Sequence, residues 1–129
     1  TDMTLNVAAI TVDCDNALTL AEFWSLALGR AIDEGGPGAS PFFARIPASP
    51  DSPGDPTMMF IKVPEGKSVK NRLHLDMTAD DRDAEVSRLV ALGATRVHDK
   101  DEWGIQWTTL ADPEGNEFCI AEHHEPTET

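Results

Sequence analysis

The chain has 129 residues, of which 40% are hydrophobic, and this size and composition suit one compact domain with a core of its own. Asp and Glu number 23 against 10 Lys and Arg, which gives a formal net charge of −13 and disfavours nucleic acid as a partner, because phosphate backbones repel a protein of this charge. No apolar stretch approaches the roughly 20 residues of a membrane-spanning helix, so we expect no membrane partner.

The cysteines and the first residues indicate a reduced, cytoplasmic setting. Two cysteines, Cys14 and Cys119, are too few for a disulfide framework in a chain of this length. The opening segment, TDMTLNVAAITVDCDN, lacks a basic stretch followed by an apolar one, and we therefore expect no signal peptide.

The first half of the chain predicts one helix with strands on either side. Apolar residues within 15–28 recur at the i, i+3, i+4, i+7 and i+8 spacing of one buried stripe. Asp15 or Asn16 can cap the start of this helix, and Gly29 occupies the position where a left-handed residue ends one. The Pro/Gly/Ser-rich residues 35–56 predict loops between the later strands. Strand-like segments lie at residues 5–12, 30–34, 42–46 and 57–63.

The second half repeats this order. A helix is predicted over residues 80–92, with Val86, Leu89 and Val90 facing inward, and Gly93 ends it. Strand-like segments lie at residues 71–77, 95–98, 105–110 and 117–122. Each half therefore reads β-α-β-β-β. The sequence predicts one domain over residues 1–129 made of two modules, about 1–65 and 66–129, because neither half alone has much of a core.

Alternation along two strands of the second half predicts a polar face, since successive side chains of a strand point to opposite sides. The apolar positions are Leu73, Leu75, Met77, Phe118 and Ile120. The opposite positions are Arg72, His74 and Asp76 on the first strand, and Glu117, Cys119 and Ala121 on the last. If both strands belong to one sheet, His74 and Cys119 face the same concave side.

Two groups of residues outside this face have open interpretations. Four basic residues form either a solvated loop or an anion-attracting rim of a pocket; they are Lys62, Lys67, Lys70 and Arg72. Phe60, with the neighbouring methionines, can line an adaptable apolar pocket or pack in the core.

Aromatic, thiol and imidazole groups in the second half also leave alternatives open. Trp107 can form a flat wall for a ligand or pack in the core. Cys119 is a nucleophile if His74 lowers its pKa, and otherwise a small inert hydrophobe. His123 and His124 form a surface tail or a metal-binding one, and Trp103 flanks a candidate strand.

Four segments together resemble the vicinal oxygen chelate superfamily, also called the glyoxalase/bleomycin-resistance/dioxygenase superfamily. They are VDCDNALTLAEFWSLALGR, NRLHLDM, GAT and LADPEGNEF, and the resemblance covers almost the whole chain. The most specific piece is the DPEGNEF turn, in which Pro113 suits position i+1, while Gly115 and Asn116 can adopt positive φ.

The resemblance implies an α+β fold in which two βαβββ modules form a curled, cup-shaped mixed sheet with helices on its outer face. It also implies that metal-using members hold a divalent ion through a His/Glu pair from each module. His74 matches a histidine position, and Cys119 replaces a glutamate. In the first module the histidine position falls near Ala8 or Ala9, and the segment TMMFIKV has no ligand. We therefore expect no metal cofactor, with a divalent metal as the alternative. The resemblance also implies a homodimer.

Two functions from different classes follow from the residues and the resemblance. The first is a metal-independent small-molecule-binding protein that holds an apolar or aromatic metabolite or antibiotic. Its candidate ligand-binding residues are Arg72, His74, Trp107, Cys119 and Phe60. The alternative is a divergent lyase or isomerase of the glyoxalase type, in which His74, aided by Asp76, is the general base or a partial metal ligand. A third option is a fold that serves mainly for dimerisation.

Overall fold

A computed structural model of the chain describes residues 5–35, 38–102 and 104–122. The chain divides into two compact units, Thr1–Gly66 and Lys67–Thr129, each with its own sheet and helix. Neither helix of the described residues has the length and apolar character needed to cross a membrane.

The first unit contains a three-stranded sheet and one helix. Its elements are β1 (Ala9–Cys14), α1 (Ala17–Leu28), β2 (Phe43–Ile46) and β3 (Thr57–Lys62). The strand order is β1-β3-β2, with β1 parallel and β2 antiparallel to β3. Leu20, Phe23 and Trp24 of α1 are buried in the core of this unit, as the periodicity predicts.

Local signals at both ends of α1 are confirmed. The Asn16 side chain accepts a hydrogen bond of 3.0 Å from the Thr19 N–H, which satisfies one of the unpaired donors of the first turn. Gly29 has φ 67° and donates its N–H to the Ser25 carbonyl, which is the left-handed ending that glycine adopts without steric cost.

The strand predicted over residues 30–34 is wrong: the structure has no strand there. Arg30 is buried, and its Nη2 atom donates to three carbonyls instead, at 2.8 Å to Pro47, 3.0 Å to Pro56 and 3.4 Å to Ile46. The segment makes one backbone bond to β2, from the Asp33 N–H to the Arg45 carbonyl, which is too little for a ladder. A charge-assisted contact with loop carbonyls has replaced strand pairing.

The second unit has the predicted βαβββ order. Its elements are β4 (Leu75–Ala79), α2 (Arg82–Leu92), β5 (Thr95–Glu102), β6 (Ile105–Ala111) and β7 (Glu117–Glu122). The strand order is β4-β7-β6-β5, in which β4 and β7 are parallel and the other pairs antiparallel. The α+β class predicted from the sequence is confirmed.

The buried stripe of α2 is narrower than predicted. Asp81 caps the helix by accepting from the Ala84 N–H at 3.1 Å. Val86 and Leu89 are buried, but Val90 is 44% exposed, so its predicted inward position is wrong. The stripe is centred between Val86 and Leu89, and Val90 lies at its edge.

The turn between β6 and β7 is held by Asp112, whose side chain is buried. Its Oδ1 accepts from the Glu114 N–H at 2.9 Å and the Asn116 N–H at 3.0 Å, and Oδ2 accepts from Asn116 Nδ2 at 3.3 Å. Gly115 adopts φ 89°, which its lack of a Cβ allows. Because a hairpin turn fixes register, this turn decides which residues of β6 and β7 are neighbours.

Candidate active site

Strand register in the second unit brings polar side chains into two rows on one face of the sheet. In the first row, Cys119 of β7 lies between Asp76 of β4 and Thr109 of β6. The opposite face carries the buried Phe118 and Ile120, as alternation requires. The polar face predicted for Asp76, Glu117 and Cys119 is therefore present, but the predicted inward position of Leu73 is wrong: Leu73 precedes β4 and is 72% exposed.

The rows continue onto β5 through a β-bulge. His98 pairs with Thr109 and extends the first row. The second row consists of Ala121 of β7, Trp107 of β6 and Lys100 of β5, each paired with the next. The register shifts between Arg96 and His98, so these two residues pair with neighbours on opposite faces although they are two positions apart.

A cavity of about 600 Å³ lies over this face. Its floor and walls include His74, Asp76, Trp107, Thr109 and Cys119, and basic side chains from two other segments complete it. A volume of several hundred Å³ is typical of small-molecule sites.

His74 and Asp76 form a pair at one edge of the cavity. The strand predicted from residue 71 begins at Leu75, where pairing with β7 starts, so His74 directly precedes β4. His74 Nδ1 lies 3.2 Å from Asp76 Oδ1, and both side chains are exposed, at 44% and 72%. A carboxylate at one ring nitrogen orients an imidazole and leaves Nε2 for a ligand or for proton transfer.

Burial raises the pKa of the Cys119 thiol above its ordinary value. A hydrogen-bonding contact with Thr109, 3.3 Å from Oγ1 to Sγ, opposes this shift, while the negative charges of Asp76 and Glu117 reinforce it. The thiol is therefore neutral near pH 7, whereas nucleophilic attack requires the thiolate. This environment favours the reading of Cys119 as an unreactive side chain.

Glu117 and Lys70 form an ion pair at the cavity. Lys70 Nζ donates to Glu117 Oε1 at 2.9 Å, and this hydrogen bond is the main reason that the pKa of Glu117 is lowered. The Asn71 side chain accepts from the Glu117 N–H at 3.0 Å and fixes the start of β7. The Lys70 charge is therefore already neutralised by a carboxylate.

A family model for the glyoxalase-like domain matches residues 9–121 of the chain. The chain belongs to this family. The match and the fold place it in the vicinal oxygen chelate superfamily, as the sequence motifs suggest. No curated protein matches the sequence.

Solved structures with the same fold include several glyoxalase relatives. A glyoxalase/bleomycin resistance protein/dioxygenase family enzyme from Burkholderia phytofirmans PsJN has 18% identity and a TM-score of 0.70, over 92% of this chain and 98% of that one. Lactoylglutathione lyase from Agrobacterium tumefaciens has 17% identity and a TM-score of 0.61, over 91% and 92%. The fosfomycin resistance protein FosX from Listeria monocytogenes, complexed with Mn(II) and 1S,2S-dihydroxypropylphosphonic acid, has 10% identity and a TM-score of 0.71, over 92% and 90%. At these identities the likeness shows a shared fold.

The donor atoms of this glyoxalase-like chain indicate which metal it could hold. The ligand atoms of His74, Asp76 and Cys119 all lie within 4.8 Å of one another. A nitrogen, an oxygen and a sulfur donor with a position left open fit a Zn²⁺-like ion better than Mg²⁺ or Ca²⁺, which prefer oxygen. Binding requires Cys119 to lose its proton, because the thiolate is the ligand.

The structure brings four of the six residues predicted for the site to one cavity: His74, Asp76, Trp107 and Cys119. Arg72 is exposed and lies outside its lining, and Phe60 of β3 is fully buried in the first unit. We therefore leave Arg72 and Phe60 out of the candidate site. His123, His124 and Trp103 lie outside the described residues.

Sequence reasoning missed His98, Lys100 and Thr109 as site residues. Alternation from Trp107 was sufficient to place Thr109 on the same face. His98 was hidden by the bulge, because strict alternation puts it on the face of Arg96. Of the four basic residues considered as a rim, Lys70 lines the cavity, and Lys62 of the first unit instead donates to the Asp15 carbonyl at 2.7 Å.

Proposed function

We propose that this glyoxalase-like protein binds an apolar or aromatic small molecule, a metabolite or an antibiotic, in the cavity of the second unit and needs no metal to do so. The observation that carries the proposal is the cavity of about 600 Å³ with Trp107 in its wall. An indole ring offers a flat apolar surface, and stacking on it adds about 1 kcal/mol beyond simple area burial.

Two features of the ligand positions support binding without a metal. Cys119 occupies a position that carries a carboxylate in metal-using relatives, and its raised pKa keeps it protonated. The first-unit position that corresponds to His74 falls at Ala8 or Ala9, which offer no side-chain donor. The fosfomycin resistance proteins among the solved relatives make antibiotics a reasonable first class of ligand to screen.

The test is a fluorescence titration with 1-anilinonaphthalene, a neutral aromatic probe, with and without EDTA. Trp107→Ala should raise the Kd about five- to tenfold, because it removes the stacking surface. Phe42→Ala is the matched control, since Phe42 is a 69% exposed aromatic residue of the first unit. Equal behaviour of the two variants, or loss of binding in EDTA, would contradict the proposal.

The second candidate function is a lyase or isomerase of the glyoxalase type. The pairing of His74 with Asp76 favours it, because an oriented imidazole is suited to proton abstraction. When bound at His74, Asp76 and Cys119, a metal would supply a Lewis acid that polarises a substrate oxygen. His74 would then be a ligand rather than a base.

Metal content tests the metal-dependent form of the second function. Untagged protein is dialysed against Ni²⁺, Zn²⁺, Fe²⁺ and Mn²⁺, and the bound metal is measured by elemental analysis. Near-stoichiometric metal that is lost in His74→Ala and in Cys119→Ala supports the second function and contradicts metal independence. Absence of metal after every loading leaves acid–base catalysis by His74 as the enzymatic alternative.

We also propose that the protein is a homodimer, as the superfamily resemblance implies, and that it acts in the reducing cytoplasm, a setting that its two free cysteines favour. Light scattering coupled to size-exclusion chromatography measures the assembly directly. A mass near 14.0 kDa at all concentrations would contradict the dimer.

A further inference from the structure

We propose that the cavity selects ligands that carry a compact anionic group, which Lys100 and His98 of β5 bind while Trp107 holds the apolar part. This inference rests on the proposed small-molecule binding and specifies the ligand class. The anionic group is an oxyanion such as a carboxylate, sulfonate or phosphoryl group, and the apolar part is flat.

Charge pairing around the cavity leaves a cation available on β5. Lys70 is paired with Glu117 at 2.9 Å, and His74 with Asp76 at 3.2 Å. These two pairs involve both acidic side chains of the lining. Among the residues that the structure describes, neither the Lys100 ammonium nor the His98 ring has an ion pair or a hydrogen bond. His98 has only a weaker attraction to Glu117, which is one of the smaller causes of that carboxyl's lowered pKa.

The acidic residues adjacent to Lys100 do not neutralise it. The Asp99 carboxylate accepts hydrogen bonds from Arg96 Nη2 at 3.0 and 2.9 Å and from Thr108 Oγ1 at 2.7 Å. The cross-strand neighbour of Asp99 on β6 is this same Thr108, which is buried. Asp101 accepts from Gln106 Nε2 at 3.4 Å. Since alternate residues face opposite sides, Asp99 and Asp101 belong to the face away from the cavity.

The β5 register gives Lys100 and His98 the spacing of a two-point anion site. They are two residues apart on one strand, so their Cα atoms are separated by about 7 Å. One oxyanion can therefore accept from both side chains, and charge-assisted hydrogen bonds of this kind are the stronger ones.

Trp107 fixes where the rest of the ligand lies. It is the direct cross-strand neighbour of Lys100, and both residues line the cavity. An anion at Lys100 thus brings an attached ring to the indole, while the overall charge of −13 disfavours anions over the remaining surface. The combination favours anionic aromatic compounds over neutral ones.

Two probes that differ by one sulfonate test the inference. These are 8-anilinonaphthalene-1-sulfonate and neutral 1-anilinonaphthalene, titrated into the full chain and into the variants Lys100→Met and His98→Gln. Lys67→Met is the matched control, because Lys67 is exposed, lies in the same unit, does not line the cavity and loses the same charge.

We expect the sulfonate probe to bind more tightly than the neutral one. Lys100→Met should raise the Kd of the sulfonate probe about five- to tenfold, and His98→Gln should raise it less, while neither changes the Kd of the neutral probe by more than about twofold. Added NaCl should weaken binding of the sulfonate probe only.

Each contrary result has a distinct meaning. Equal effects of Lys100→Met and Lys67→Met on the sulfonate probe, or equal affinity for the two probes, overturn the anion site and leave the proposed apolar binding intact. Failure of both probes to bind, or binding that Trp107→Ala leaves unchanged, overturns the proposed function and this inference with it.

Discussion

Substitution of Asp112 should destabilise the protein through the turn that sets the register of β6 and β7. Asp112→Ala removes two acceptor contacts to backbone N–H groups, at 2.9 and 3.0 Å, and a third to the Asn116 amide at 3.3 Å. A hydrogen bond to a charged acceptor contributes about 1.5–3 kcal/mol when it is buried. Glu114 and Asn116 are half-buried, so water recovers part of the loss.

The expected loss is therefore about 2–3 kcal/mol of unfolding free energy, near the lower bound for two such bonds. Asp112→Asn should cost less than about 1 kcal/mol, because an amide oxygen can still accept both backbone bonds and Asn is well suited to this turn position. Asp51→Ala, which removes a carboxylate from an exposed loop position, should change the free energy by less than about 0.5 kcal/mol.

Urea unfolding followed by circular dichroism at pH 7 measures all three variants. The linear extrapolation gives each free energy, and an unchanged slope shows that the exposed surface is the same. A loss below about 1 kcal/mol in Asp112→Ala, or equal losses in the Ala and Asn variants, would refute the hydrogen-bonding argument.

Two further predictions concern ionisable groups at the cavity. In a Cys14→Ala background, Cys119 should react slowly with iodoacetamide at pH 7, and Asp76→Asn should speed the reaction because it lowers the thiol pKa. Mass spectrometry follows the alkylation. An unchanged rate in Asp76→Asn would show that Asp76 does not influence the thiol. The pKa of Glu117 is lowered below 4.5 in the folded state, so the stability that it gains from Lys70 is present above this value and is lost as the pH falls through the folded pKa. Lys70→Met should therefore be less stable than the native protein at pH 7, and the difference should shrink as the pH is lowered through the folded pKa of Glu117. Urea unfolding over a series of pH values measures it, and a difference that stays constant down to the acid unfolding transition would contradict this cause.

Local signals in the sequence were sufficient to predict most helix and turn boundaries. The cap at Asn16, the left-handed Gly29 and the Gly115 turn each depend on residues within a few positions of one another. Such interactions are independent of what the rest of the chain does. The strand at Glu117–Glu122 was predicted with its observed bounds for the same reason, because a turn precedes it and its alternation is strict.

The errors occur where distant residues decide the outcome. The segment 30–34 has the composition of a strand, but Arg30 bonds carbonyls that lie 16 to 26 positions away. β5 is longer than the predicted 95–98, because its backbone pairs with β6 as far as Glu102. Phe60 was considered for a pocket, and the first unit buries it completely.

The sequence by itself determined the α+β class, the βαβββ order of the second unit, and the polar face that carries His74, Asp76 and Cys119. Periodicity and turn chemistry are local, so they can be read without knowing neighbours in space. Only the tertiary structure decided that Lys100 lies beside Trp107 and that His98 joins Thr109, since both depend on register and on the bulge at Val97. The tertiary structure also decided which lysine of the cavity is paired. Glu117 lies beside Lys70 and leaves Lys100 without an ion pair, and the spacing of these residues along the chain does not predict this choice.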